Sequence, residues 1–98
     1  MQLRQLGKTG IDISEIALGA GPVSELMVGL DHPQQLATVS QASEMGINWV
    51  DTAATYGNGT SEKTLGRACS PIHHPQVHVA TKIRLSADEL DDPVRAIR

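Results

Sequence analysis

Asp51, Tyr56 and Lys82 are the residues of this chain whose types and positions could together move a proton. Asp51 closes the run Ile47-Asn48-Trp49-Val50, and Lys82 closes Val77-His78-Val79-Ala80-Thr81. Both runs read as strands, and in parallel α/β folds catalytic groups come from the carboxyl ends of strands and the loops beyond them. Side chains alternate along a strand, so Asp51 shares a face with Trp49 and Ile47, and Lys82 shares one with Ala80 and His78. Neighbouring strands lie about 4.8 Å apart, so adjacent strands would bring an acid and a base to one spot. Tyr56 follows in the glycine-rich loop after Asp51. A phenol ordinarily titrates at about 10, too high for an efficient proton donor near neutrality. A nearby ammonium favours the phenolate, and Lys82, held by Asp51, could supply that field. Such a tyrosine could protonate a carbonyl oxygen as hydride reaches the carbon, or take the proton from an alcohol in reverse.

Two other readings fit the same residues. An acid and a base at strand ends also form structural ion pairs at a barrel rim, and position alone does not separate that role from catalysis. A lysine at the end of a barrel strand carries Schiff-base chemistry in lyases of the aldolase type, with an acid and a tyrosine nearby. Asp51 beside Lys82 counts against the lyase, because a carboxylate keeps the amine protonated and non-nucleophilic.

The elements that must position these residues alternate. Residues 1–14 predict a hairpin around the turn Gly7-Lys8-Thr9-Gly10, with Ile11-Asp12-Ile13-Ser14 alternating after it. Ile16-Ala17-Leu18-Gly19 predicts a short strand buried on both faces, followed by a Gly/Pro/Ser loop to about Leu30. Asp31 is the expected N-cap of a helix with Pro33 in its first turn, and Gly46 is its expected stop. One face of that helix would hold Leu36, Val39 and Ser43, flanked by Ala37 and Ala42. The strand ending at Asp51 follows, then a loop over 56–60 and a helix capped by Ser61 that holds Leu65 and Ala68. After a linker at Pro71–Pro75 comes the strand ending at Lys82, and Asp91-Asp92-Pro93 is expected to open a third helix. Strands alternating with helices predict βαβ units and a parallel sheet, the beginning shared by doubly wound sheets and (β/α)₈ barrels.

The segment from Asp51-Thr52-Ala53-Ala54-Thr55-Tyr56-Gly57-Asn58-Gly59-Thr60-Ser61-Glu62 to Leu65-Gly66-Arg67-Ala68 resembles the signature of the aldo-keto reductase family. Leu6-Gly7-Lys8-Thr9-Gly10, Ala17-Leu18-Gly19 and Ala80-Thr81-Lys82 match further family segments in the right order. The resemblance implies the amino-terminal portion of a TIM barrel: one partial domain over 1–98, its hairpin (1–14) covering the barrel bottom and its first βα units in 15–98. It implies a tetrad of Asp, Tyr, Lys and His, of which Asp51, Tyr56 and Lys82 match the first three. The histidine would lie beyond Arg98. It also implies a nicotinamide cofactor, NAD(H) or NADP(H), with Gly19, Ala20 and Asp51 near the nicotinamide and its ribose. The substrate would be a small carbonyl compound or alcohol. Ser61-Glu62 after the loop is similar to the branch of potassium-channel β subunits and sugar dehydrogenases. A regulatory subunit of the same fold is therefore a further reading, weakened by the presence of all three residues.

Composition narrows the field. The chain of 98 residues carries a net charge of −3 with its basic residues scattered, which argues against nucleic acid as a partner. No apolar run approaches the roughly 20 residues of a membrane helix, and no apolar stretch follows Met1 to Gly7, so neither membrane nor secretory leader is expected. The single cysteine, Cys69, excludes an internal disulfide and suits the cytoplasm. His73, His74 and His78 flank Pro75 with no cysteine at zinc-ligand spacing, so no metal site is expected. Gly19-Ala20-Gly21-Pro22-Val23-Ser24 lacks the third glycine and the helix of a dinucleotide-binding fingerprint. Three barrel strands alone would leave open edges at Ile16–Leu18 and Val77–Lys82 and an inner face of Leu18, Trp49 and Ala80. Self-association and an inactive isolated chain are expected on that ground.

Overall fold

Residues 1–21, 27–29, 31–70, 74–92 and 94 are described by the structure, a computed structural model. The hairpin forms: Leu3–Gln5 (β1) pairs antiparallel with Asp12–Ser14 (β2), Leu3 opposite Ser14 and Gln5 opposite Asp12. Its turn closes through the Leu6 amide to the Ile11 carbonyl at 2.8 Å. Asn48 then clasps the hairpin to the sheet. Its side-chain oxygen accepts from the Ser14 amide at 2.7 Å, its amide nitrogen donates to the Asp12 carbonyl at 2.9 Å, and its backbone N–H donates to the Ser14 hydroxyl at 3.1 Å. Asn48 precedes the next strand, so the clasp sits at the amino ends of the parallel strands.

Those strands are Leu18–Gly19 (β3), Trp49–Asp51 (β4) and His78–Ala80 (β5), parallel and in the order β3-β4-β5. Leu18 lies beside Val50 and Gly19 beside Asp51, while Trp49, Val50 and Asp51 lie beside His78, Val79 and Ala80. Register partners project to the same side of a sheet. One face therefore carries Leu18, Val50 and Val79, and the other carries Trp49, His78, Asp51 and Ala80. Leu18 does not join Trp49 and Ala80 on an inner face, because its partner Val50 points into the core. The trio expected from the sequence is split by the register. On the second face the rings of Trp49 and His78 lie 6.4 Å apart and tilted.

His32–Glu44 (α1) and Thr60–Ala68 (α2) cover the first face, where Val39, Val50, Leu65, Ala68, Ala20, Met27 and Cys69 form the core with Leu18 and Leu36 against it. Asp31 caps α1 as expected: its carboxylate accepts from the Gln34 amide at 3.0 Å, and the Gln34 side chain accepts from the Asp31 amide at 3.3 Å. At the other end Gly46 takes φ +91, a left-handed turn that costs glycine little. The buried face of α1 is Gln35, Val39 and Ala42. Ala37 is exposed and Ser43 only half-buried, so the stripe is rotated from the expected one.

Each parallel strand is shorter than the run that predicted it. Ile16 lies outside β3 and is 55% exposed, and Ile47 spends its N–H on the Ala42 carbonyl at the end of α1. Lys82 is not the last residue of its strand: β5 ends at Ala80, where the ladder's last bond runs from the Thr52 amide. Beyond Thr52 the neighbouring strand has ended, and among the described residues the β4–β5 ladder goes no further. Ser61 does not cap α2. The N-cap position belongs to Gly59, and Ser61, the second residue of the helix, is fully buried in its first turn. A 3₁₀ turn occupies Glu89–Asp91. Pro93 and the expected third helix lie outside the described residues, as do Pro22 to Ser24, Leu30, His73 and most of the linker at 71–73.

Candidate active site

Asp51 ends β4 with its backbone locked on both sides. Its carbonyl accepts from the Ala20 amide at 2.9 Å, and the next amide, Thr52, donates to the Ala80 carbonyl at 2.8 Å. The chain then bends. The Tyr56 amide donates to the Ala53 carbonyl at 3.1 Å and starts a 3₁₀ turn over Tyr56–Gly59. Gly57, Asn58 and Gly59 all take positive φ, +58, +53 and +96. Asparagine tolerates that region and glycine enters it freely. Gly57 is constrained twice over, because a Cβ there would meet a Val28 methyl at 2.9 Å. This run turns the chain straight into α2 and leaves Tyr56 half-buried at its start. Its ring packs 3.7 Å from where a side chain on Gly21 would stand.

Lys82 reaches back from beyond β5. Its ammonium donates to both Asp51 oxygens, at 3.2 and 3.3 Å, and to the Thr52 carbonyl at 2.8 Å. It also stands 5.4 Å from the centre of the Tyr56 ring. The structure thus brings Asp51, Tyr56 and Lys82 to one corner at the carboxyl ends of β4 and β5. The two charged side chains are 46% and 55% exposed, Asp51 and Lys82 respectively. Such a pair stabilises a fold by about 0–1 kcal/mol, so its significance is where it holds the ammonium. A shallow pocket lined by Ala53, Ala54, Thr55, Lys82, Ile83 and Arg84 opens beside it.

Gly19 and Ala20 form the neighbouring edge of this corner. Gly19 is the register partner of Asp51, and a side chain there would point into open space. A flat ring could therefore lie against the end of β3 beside Asp51, which fits a nicotinamide. Ala20 contributes differently. Its methyl is fully buried, its N–H goes to Asp51 and its carbonyl accepts from the Ser61 hydroxyl at 2.9 Å.

The contacts of four polar residues around the corner were not legible in the sequence. Thr52 and Ser61 are fully buried, with their hydroxyls 2.7 Å apart. The Thr81 hydroxyl donates to Glu62 at 2.6 Å. The only signal was that small polar residues adjoin Asp51 and Lys82, and a serine just inside a helix reads first as a cap. Cys69 is buried, and burial pushes its thiol up from the ordinary range.

A family model described as Aldo/keto reductase family matches residues 15–96. L-Galactose dehydrogenase of Arabidopsis thaliana is 33% identical over 100 residues, covering 100% of this chain and 31% of that protein. A putative voltage-gated potassium channel subunit beta of Schizosaccharomyces pombe is 38% identical over 69 residues, 70% of this chain and 20% of that protein. An aldo-keto reductase from Bacillus halodurans, solved in its holo form, superposes with a TM-score of 0.70 at 30% identity, over 88% of this chain and 28% of that one. The chain thus spans about a third or less of the length of these relatives. Its hairpin, three parallel strands and two helices are the opening of a (β/α)₈ barrel, and the chain belongs to the aldo/keto reductase family.

Proposed function

We propose that this chain supplies the proton-handling corner of an oxidoreductase that interconverts carbonyl compounds and alcohols with a nicotinamide cofactor. The carrying observation is the Lys82 ammonium, held between Asp51 and the Thr52 carbonyl and 5.4 Å from the Tyr56 ring. Gly19 and Asp51 would line the cofactor's nicotinamide and ribose, with the Ala20 backbone shaping that edge. The cofactor, NAD(H) or NADP(H), supplies hydride exchange at the substrate carbon. In reduction the Tyr56 hydroxyl gives its proton to the carbonyl oxygen, and in oxidation the phenolate takes the alcohol's proton. The Lys82 ammonium, over the Tyr56 ring, offsets the negative charge that develops there during that transfer, and Asp51 keeps Lys82 in place. The substrate class is an aldehyde, ketone or sugar, in keeping with the dehydrogenase among the relatives. A cytoplasmic location suits the single free cysteine, and no described helix is long and apolar enough to cross a membrane.

The Schiff-base reading is disfavoured by the same geometry, since the ammonium protons of Lys82 are directed at Asp51 and Thr52. Incubating the complete enzyme with aldehydes, ketones and aldoses and following nicotinamide absorbance tests the proposal. Oxidation of NADH or NADPH with at least one of them is expected. No oxidation together with a borohydride-trapped adduct on Lys82 would transfer the reading to the lyase. Tight binding without turnover would transfer it to the regulatory subunit.

A further inference from the structure

The first turn of α2 holds both of the strand ends that bear the ion pair, through two adjacent residues. Ser61 donates to the Ala20 carbonyl at 2.9 Å. A hydroxyl has one proton, so the contact of 2.7 Å between Ser61 and Thr52 must be donated by Thr52. Thr52 is the residue after Asp51, and its carbonyl accepts from Lys82 at 2.8 Å. Glu62, next to Ser61, accepts from Thr81 at 2.6 Å, and Thr81 is the residue before Lys82. Ala20, Thr52 and Ser61 are fully buried, so their hydrogen bonds are sheltered from competing water. β5 has ended two residues before Lys82, so among the described residues no ladder bond fixes that stretch. The Glu62 contact instead ties the Thr81 side chain to the helix.

We infer that Ser61 and Glu62 are positioning residues, which set the separation of Asp51 and Lys82 by gripping Thr52 and Thr81 from one helical turn. The inference rests on the reaction proposed above. It gives the Ser-Glu pair a role apart from helix capping and from a favourable charge near a helix start. Neither side chain touches substrate. Losing one lets the lysine stretch or the Thr52 carbonyl drift, and small misplacements of a reacting group cost roughly 10- to 100-fold in rate.

The test compares Glu62→Ala, Glu62→Gln, Ser61→Ala and Tyr56→Phe in the complete enzyme. Glu62→Gln keeps an oxygen that can accept from Thr81 but removes the charge. Glu62→Ala and Ser61→Ala are expected to lower kcat by roughly 10- to 100-fold with KM and cofactor affinity unchanged. Glu62→Gln is expected to keep kcat near wild type, because the hydrogen bond from Thr81 remains. If Glu62→Gln is as slow as Glu62→Ala, or if Glu62→Ala keeps full kcat while Tyr56→Phe is inactive, the inference is overturned. Should Ser61→Ala fail to fold, the Glu62 pair decides. If Tyr56→Phe keeps full turnover, the proposed reaction is what has failed. Crystal structures of Glu62→Ala then judge the clamp: a Lys82–Asp51 separation beyond about 4 Å supports it, and an unchanged contact sinks it.

Discussion

Lys82 meets Asp51 across two strands although it has left its own, its ammonium 3.2 and 3.3 Å from the two carboxylate oxygens. Because both side chains are about half exposed, water screens their attraction. Replacing Lys82 by Met should therefore leave the melting temperature almost unchanged while kcat falls roughly 10²- to 10⁴-fold, the usual worth of assisted proton transfer. Calorimetry and steady-state kinetics on one preparation read both quantities. A large loss of stability with little loss of rate would assign the pair to structure.

Tyr56→Phe removes the phenolic oxygen and leaves the ring against Gly21 and below Lys82. Carbonyl reduction should fall by roughly 10²-fold or more, with cofactor binding retained, because only the proton donor is lost. Fluorescence titration with the cofactor checks the second half. Unchanged turnover would direct attention to another acid.

Asn48→Ala should do the opposite. It deprives the Ser14 amide and the Asp12 carbonyl of their partners. At about 1–3 kcal/mol for a stranded polar group, the urea midpoint should drop while kcat under native conditions stays put. A fall in kcat without a fall in stability would contradict the separation of clasp and corner.

Cys69 gives a pH-dependent expectation. Burial raises its pKa, so the folded protein keeps the thiol protonated where an unfolded chain would already have ionised. The folded state then binds more protons, and its stability is present below the ordinary thiol range and declines as pH rises above about 8.5. Labelling with a maleimide at neutral pH should be slow in buffer and fast in urea. Equal rates in both would show the thiol to be accessible.

The chain of residues 1–98 alone should associate. Among the described residues β3 and β5 each pair on one side only; Val79 is 46% exposed beside an apolar cleft between β5 and α2, and Ile83, just beyond β5, is 58% exposed. Exposed apolar strand edges invite pairing with a second copy. We propose that association through those edges is what sedimentation will record, together with no reductase activity. A sharp monomer boundary with a cooperative melt would refute it.

What the sequence made legible was the order of elements and the placing of chemistry at strand ends. The hairpin, the Asp31 cap and the meeting of Asp51 with Lys82 all follow from local rules of turn, cap and alternation. What stayed hidden depends on register and on burial. Leu18 moved to the helix side because it pairs with Val50, which no local pattern specifies. Ser61 turned from a cap into a buried donor because the left-handed run at Gly57 to Gly59 starts the helix two residues earlier.

The Asn48 clasp lies at the amino end of a strand of only three residues, with Asp51 at the carboxyl end. Fastening and reactivity are thus assigned to opposite poles of one short segment. The hairpin turn from Gly7 to Gly10, exposed and uncrowded, lies on the fastening side. It is accordingly a natural handle: an enzyme tethered to a surface through Lys8 would turn its reacting pole outward, toward the solution.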